Sequence, residues 1–305
     1  MLQTKAKKSF FRSRFFRFLV LTALITVILL YLTGSVMIAN FFTTSINRNL
    51  GSVTPASLGM PYENVTFQST ASDHIKLRGW FVRGNTNRAL ILLHAKDNTR
   101  AFAHNLNLGH SLWQQGYSLL MFDLRAHGQS EGDHTTYGQY EQFDVVGAVN
   151  FLKSKGYNGA SIGVIGWSLG AASALMGMSQ TADIKAGIID SSYADLDHIA
   201  ALRLAQLGFF YPGVLVTSQV LWGMDINQAR PEETIKKLGN RHVLLIHGEA
   251  DTTVPISEMY LLQKAGGLNV ANTWILPGVN HAGAYPAQPE EYLRRTLAFF
   301  GRELA

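Results

Sequence analysis

Ser168 sits at the centre of Gly166-Trp167-Ser168-Leu169-Gly170, behind the apolar run Ile162-Gly163-Val164-Ile165 and ahead of Ala171-Ala172-Ser173-Ala174-Leu175-Met176. A serine hydroxyl is a weak nucleophile unless it is exposed, oriented and beside a base. A strand turning sharply into a helix presents it so, and glycines on either side admit a bend that a Cβ would crowd. Two later segments supply partners. One is the apolar run His242–His247, stopped by Gly248, with Asp251 in the loop beyond and Val254-Pro255 after it. The other is Thr273-Trp274-Ile275-Leu276, stopped by Pro277-Gly278, with His281 in the loop beyond. These residue types suit a proton relay. His281 would take the proton of Ser168 and return it to a leaving group, while Asp251 fixes the imidazole tautomer and stabilises the imidazolium. Asp190, at the end of Ile188-Ile189-Asp190, is the competing acid. Between the two, Asp251 is the expected acid.

The chain order Ser168, Asp251, His281, each residue just after a short apolar run, resembles the α/β-hydrolase superfamily. Within it the chain is most similar to membrane-anchored bacterial members of the serine aminopeptidase and dipeptidyl-peptidase-like group. The resemblance implies an α/β-hydrolase fold with a helical cap. It also implies an oxyanion hole built from two backbone N–H groups, that of Leu169 and one from the loop after Arg88–Leu93, for which Lys96 is the candidate. His94-Ala95-Lys96 departs from the family by carrying alanine where glycine is usual. Were φ positive there, alanine would be strained. The Lys96 side chain is expected in solvent. Asp123-Leu124-Arg125-Ala126-His127-Gly128-Gln129-Ser130 looks like the family's D-x-R-x-x-G-x-S segment, and Asp123 and Arg125 are expected to anchor loops.

The elements that must position these residues alternate. Tyr62–Gln68 and Ile75–Val82 predict an opening antiparallel pair. Strands at 89–94, 117–122, 161–166, 184–190, 242–247 and 271–276 then alternate with helices at 102–115, 138–154, 168–179, 256–265 and 289–303. Near-continuous apolar strands between helices predict a mostly parallel sheet covered on both faces, an α/β class. Between Asp190 and Arg241 the alternation breaks for longer than an ordinary connection. Residues 195–235 are expected to form the cap, with Leu202, Leu204, Leu207, Phe209, Phe210, Tyr211, Val214, Leu215, Leu221, Trp222 and Met224 lining or covering an apolar pocket.

Charge is concentrated at the amino end. Residues 1–48 hold seven basic residues (Lys5, Lys7, Lys8, Arg12, Arg14, Arg17, Arg48) and no acid, leaving 19 basic against 21 acidic residues beyond. The folded part therefore lacks the basic surface of a nucleic-acid module. No charge lies between Arg17 and Arg48, and Phe18–Phe42 is long enough to cross a bilayer. The expected organisation is a basic tail over 1–17, a transmembrane helix over 18–42, a polar linker over 43–60 and the hydrolase domain over 61–305. Six basic residues before the span place the tail in the cytoplasm and the domain outside it, in a bacterial periplasm or at the cell surface. A cleaved signal peptide is the rival reading, but its apolar region would be shorter. The chain has no cysteine, which excludes thiolate chemistry and disulfides.

The expected reaction is hydrolysis of a carboxylic ester or related acyl bond through an acyl-enzyme, with a small acyl substrate carrying an apolar portion. A peptidase or aminopeptidase is the alternative; it would need a carboxylate to bind a free α-amino group, for which Glu131, Asp133 and Asp195 are the loop candidates, although they read more simply as solvated surface acids. A non-catalytic binding protein of the same fold is the alternative from another class. No cofactor, metal or nucleic acid is called for: the sequence holds neither a G-x-G-x-x-G opening a helix nor H-E-x-x-H, and His94, His104, His110 and His127 read as loop or packing residues.

Overall fold

The structure, a computed structural model, describes the backbone of residues 3–305 and the side chains of 13–203 and 206–305. Eight strands form one sheet: β1 Glu63–Gln68, β2 Lys76–Val82, β3 Ala89–Leu93, β4 Ser118–Phe122, β5 Ile162–Trp167, β6 Ala186–Asp190, β7 His242–Gly248 and β8 Val270–Leu276. Their order is β1-β2-β4-β3-β5-β6-β7-β8. β1, β2 and β4 pair antiparallel, and every later pairing is parallel. The chain thus has the mostly parallel α/β-hydrolase architecture. β3, β5 and β6 are buried along their whole length, which is why they read as unbroken apolar runs.

The helices are α1 Gln3–Thr43, α2 Ala103–Gln114, α3 Glu141–Ser154, α4 Leu169–Gln180, α5 Leu196–Leu204, α6 Tyr211–Trp222, α7 Pro231–Ile235, α8 Ile256–Gly266, α9 Ala284–Ala287 and α10 Pro289–Glu303. α3, α4, α7 and α8 close one face of the sheet, and α2, α9 and α10 close the other. α5 and α6 form the cap, meeting at a bend of 107°. Gly208, at φ 42°, makes the break between them.

Two expectations change. Helix α1 does not begin at residue 18 but takes in most of the basic tail; its long apolar part runs over Ser13–Thr43. Lysine and arginine are good helix formers, so the charge boundary does not end the helix. Met1 and Leu2, and the side chains of Lys5, Lys7, Lys8 and Arg12, lie outside the described residues. The first part of the segment expected as a linker, residues 44–48, is bound to the body. Arg48 donates to the carbonyls of Gly128, Ser130 and Gly132. Lys96 Nζ donates to Thr44 O at 3.2 Å, and Asp97 Oδ1 accepts from Ile46 N at 3.0 Å.

Candidate active site

β5 turns into α4 at Ser168, which adopts φ 53° and ψ −115°. A non-glycine residue held there costs about 1–3 kcal/mol, and the surroundings must enforce it. They do so by close approach. A Cβ on Gly166 would lie 2.3 Å from Gly170 O, and one on Gly170 would lie 2.5 Å from Leu93 O. Ser168 N donates to Asp190 O at 2.9 Å, pinning the turn to the next strand.

The loops after β7 and β8 carry Asp251 and His281 to the same place. His281 Nε2 lies 2.8 Å from Ser168 Oγ, and His281 Nδ1 lies 2.7 Å from Asp251 Oδ2. A carboxylate only accepts, so Nδ1 carries the proton and Nε2 is left to accept from the serine hydroxyl. Asp251 Oδ1 accepts from Thr253 N and Val254 N at 2.8 and 2.9 Å. His247 Nε2–H is shared between Val254 O at 2.8 Å and Asp251 Oδ2 at 3.3 Å. Burial alone would raise the Asp251 pKa. The hydrogen bonds from His247 and His281 override it and hold the carboxyl well below its ordinary value.

Asp190 makes no hydrogen bond to His281. It is fully buried, its Oδ1 accepts from Ser191 Oγ at 2.9 Å, and burial pushes its pKa up to about 6 despite that bond. Its connection to the site is indirect. Ser191 Oγ accepts from Ala282 N at 3.0 Å, beside His281. Ser191 and Asn280 were not singled out from sequence. Asn280 Oδ1 accepts from Thr252 N at 3.1 Å and from His281 N at 2.8 Å, clamping the two loops together. An Asn directly before the histidine was the available signal, since Asn readily bonds nearby backbone.

Lys96 and Leu169 both line the cavity in front of Ser168. The Leu169 N–H heads α4, where no intrahelical acceptor exists. The Lys96 N–H meets no protein acceptor among the described residues. The substitution of alanine at 95 carries no backbone strain, because the positive φ of this loop falls on Asp97, at 61°. The Lys96 side chain is not in solvent as expected. It turns back to bond Thr44 O and pair with Asp97 at 3.0 Å, because the end of α1 lies over this loop. Two buried histidines brace the loop. His94 Nδ1–H donates to Ala95 O at 2.8 Å while its Nε2 accepts from Leu124 N at 3.1 Å. His127 Nε2 accepts from Asp97 N at 3.3 Å, and burial pushes its pKa down to about 3, so it stays neutral. Asp123 and Arg125 anchor neighbouring loops through Arg100 and through Asp144 and Asp73.

The cavity holds about 720 Å³. Val214, Leu215 and Met224 line it as expected. Leu202, Phe209 and Leu221 instead face outward. Leu207, Phe210, Tyr211 and Trp222 pack against α1, and the Leu204 side chain lies outside the described residues. The wall they were expected to form comes partly from Phe41, Phe42 and Thr43 of α1. A helix remote in sequence leaves no local signal of that role. Glu131, Asp133 and Asp195 do not line the cavity. Asp97 and Asp225 do, but Asp97 is engaged by Lys96 and Ile46 N, and Asp225 by Asn227 and Gln228.

A family model described as the prolyl oligopeptidase family matches residues 104–305. A curated relative, the uncharacterized protein YqkD of Bacillus subtilis, is 29% identical over 249 residues, covering 78% of this chain and 79% of its own. Among solved structures, the esterase Pf2001 of Pyrococcus furiosus superposes with a TM-score of 0.71 at 28% identity, over 85% of this chain and all of that one. The acylaminoacyl peptidase of Pyrococcus horikoshii gives 0.61 at 16% identity, over 80% of this chain and 42% of its own, a likeness of fold.

Proposed function

Since the chain belongs to the prolyl oligopeptidase family and is a serine hydrolase of α/β-hydrolase fold, we propose that Ser168, His281 and Asp251 are its catalytic residues and that it is an esterase. One observation carries this reading: the hydrogen-bonded line from Ser168 Oγ through His281 to Asp251 opens into a largely apolar cavity. Ser168 Oγ attacks the ester carbonyl carbon as His281 Nε2 takes its proton. The N–H groups of Leu169 and Lys96 receive the oxyanion. The tetrahedral adduct collapses with cleavage of the acyl–oxygen bond, and His281 returns the proton to the departing alcohol. Water, deprotonated by the same imidazole, then releases the acid and regenerates Ser168.

Two things favour an ester over a peptide. Among the described residues, both cavity carboxylates are engaged by neighbouring groups and neither is free for a substrate α-amino group. The esterase Pf2001 is also similar over its full length. We further propose that α1 crosses the membrane with its basic end in the cytoplasm, so that the hydrolase domain lies outside.

A fluorophosphonate probe and two substrate series test this. Wild type should be labelled and Ser168→Ala should not. p-Nitrophenyl esters should turn over faster than aminoacyl p-nitroanilides, with short to medium acyl chains preferred. No labelling of folded wild type would favour a non-catalytic binding role, and faster anilide turnover would favour a peptidase.

A further inference from the structure

The cap carries an apolar surface that the protein does not cover. Phe209 and Val220 are 71% and 74% exposed, with Leu202, Val216 and Leu221 exposed beside them. α5 and α6 together are as apolar as a membrane-inserted segment. Such a surface in water is an interaction site. What covers it follows from where it sits on α1.

α6 packs lengthwise against the end of α1. A Cβ on Gly213 would lie 2.2 Å from Ser35 Oγ, and one on Gly34 would lie 2.6 Å from Phe210. At the bend, Phe209 meets Tyr31 edge-on at 4.7 Å and Phe210 stacks on it at 5.6 Å. These contacts give the cap a depth. A hydrocarbon core of about 30 Å takes up about 20 helical residues. Counted from Phe18, after the last arginine of the tail, that core ends near Met37. Tyr31 is then about 9 Å inside it, and so are the rings packed on it. Phe41, on the same helix, lies about 6 Å above the boundary, at headgroup level. These depths are the same whichever leaflet faces the domain.

The cavity mouth sits at that level. Phe41 and Val216 both line the cavity, yet are 63% and 60% exposed. The cavity is therefore open to the outside along the seam between α1 and α6, at the level of Phe41.

We propose that the bend between α5 and α6 is embedded in the domain-side leaflet, and that the cavity is filled from the bilayer by amphiphilic acyl esters. This deepens the esterase reading and rests on it and on α1 crossing the membrane. The acyl chain of such a substrate is already at the depth of the bend, and its ester is at the depth of the mouth. Apolar surface placed beside hydrocarbon needs no protein partner, and interfacial helices settle about 5–10 Å into the headgroup boundary.

The full chain, reconstituted in phosphatidylcholine vesicles, allows a test with two independent readings. The chain has no native cysteine, so an environment-sensitive fluorophore attached to Phe209→Cys is unique. Its emission should shift to the blue and be quenched by brominated phosphatidylcholine, whereas a label on Gln228→Cys should report water. Water-like emission at 209 would overturn the proposal. So would a buried label that brominated lipid does not quench but that cross-links to a second copy. For the second reading, Phe209→Glu with Val220→Glu should slow hydrolysis of vesicle-embedded p-nitrophenyl dodecanoate about tenfold and leave soluble p-nitrophenyl acetate nearly unchanged. Equal rates of variant and wild type on both esters would overturn loading from the bilayer. If neither ester is hydrolysed by wild type, the esterase reading fails, while the quenching still decides whether the cap is embedded.

Discussion

At the scale of single residues, two buried carboxylates near one imidazole do opposite things. Asp251 sits among donors and stays ionised. Asp190 is desolvated and holds its proton up to a pH of about 6. Replacing Asp251 with Asn should lower kcat by about 10⁴-fold with little change in KM, because the wrong tautomer of His281 would face Ser168. Asp190→Asn should leave kcat within a few-fold, because Asn can still accept from Ser191. Its stability effect has a definite sign. A carboxyl whose folded pKa lies above its ordinary 3.8 favours the fold when protonated, and that contribution is lost as pH rises through about 6. The displacement corresponds to roughly 3 kcal/mol. Asp190→Asn should therefore match wild type below about pH 4 and exceed its stability above about pH 6. Denaturant titration at both ends of this range measures it, and a gain confined to acid would contradict the assignment.

At the scale of elements, the unusual contact is between the amino-terminal helix and the cap. Small residues let the two helices approach: Gly34 and Ser35 on α1, Gly213 on α6. The same end of α1 bonds the body through Tyr137 Oη, which donates to Phe42 O at 2.6 Å, and Thr135 N, which donates to Thr43 O at 2.7 Å. Gly213→Leu should force α6 off α1 and cost about 1–3 kcal/mol locally. Limited proteolysis should then cut the cap faster, while the melting of the sheet is barely altered. Unchanged cap cleavage would mean that the helices do not depend on this contact. Loop 94–97 is held differently, by neutral histidines on one side and by the bound segment after α1 on the other.

At the scale of the whole molecule, α1 and the cap pack together over the cavity, so the proposed membrane would be part of the candidate site's surroundings. The full-length chain should resist extraction by alkaline carbonate, and protease added outside intact spheroplasts should digest residues beyond α1. Release of a chain shortened past Gly34 would instead identify the apolar helix as a cleaved signal. Burial of Ala39 and Ser35 against the cap argues for retention, because removing α1 would strip one wall from the cavity.

The sheet and its parallel order were legible because central strands buried on both faces must be apolar throughout, and turns must carry glycine where backbones touch. The candidate trio was legible because each member stands just beyond such a strand. Other features were settled only by packing in three dimensions. The Lys96 side chain turned inward because the end of α1 lies above it. Seven of the eleven expected pocket residues faced α1 or the outside, since an apolar side chain does not encode which apolar neighbour will cover it. The cross-loop bonds of Asn280 to Thr252 and of Ser191 to Ala282 could be recognised only once β6, β7 and β8 stood side by side. Local sequence determines which elements form and where they break, through steric and burial preferences of each segment. Which distant surfaces meet depends on the shape of the finished fold, and here that decides the wall and mouth of the cavity.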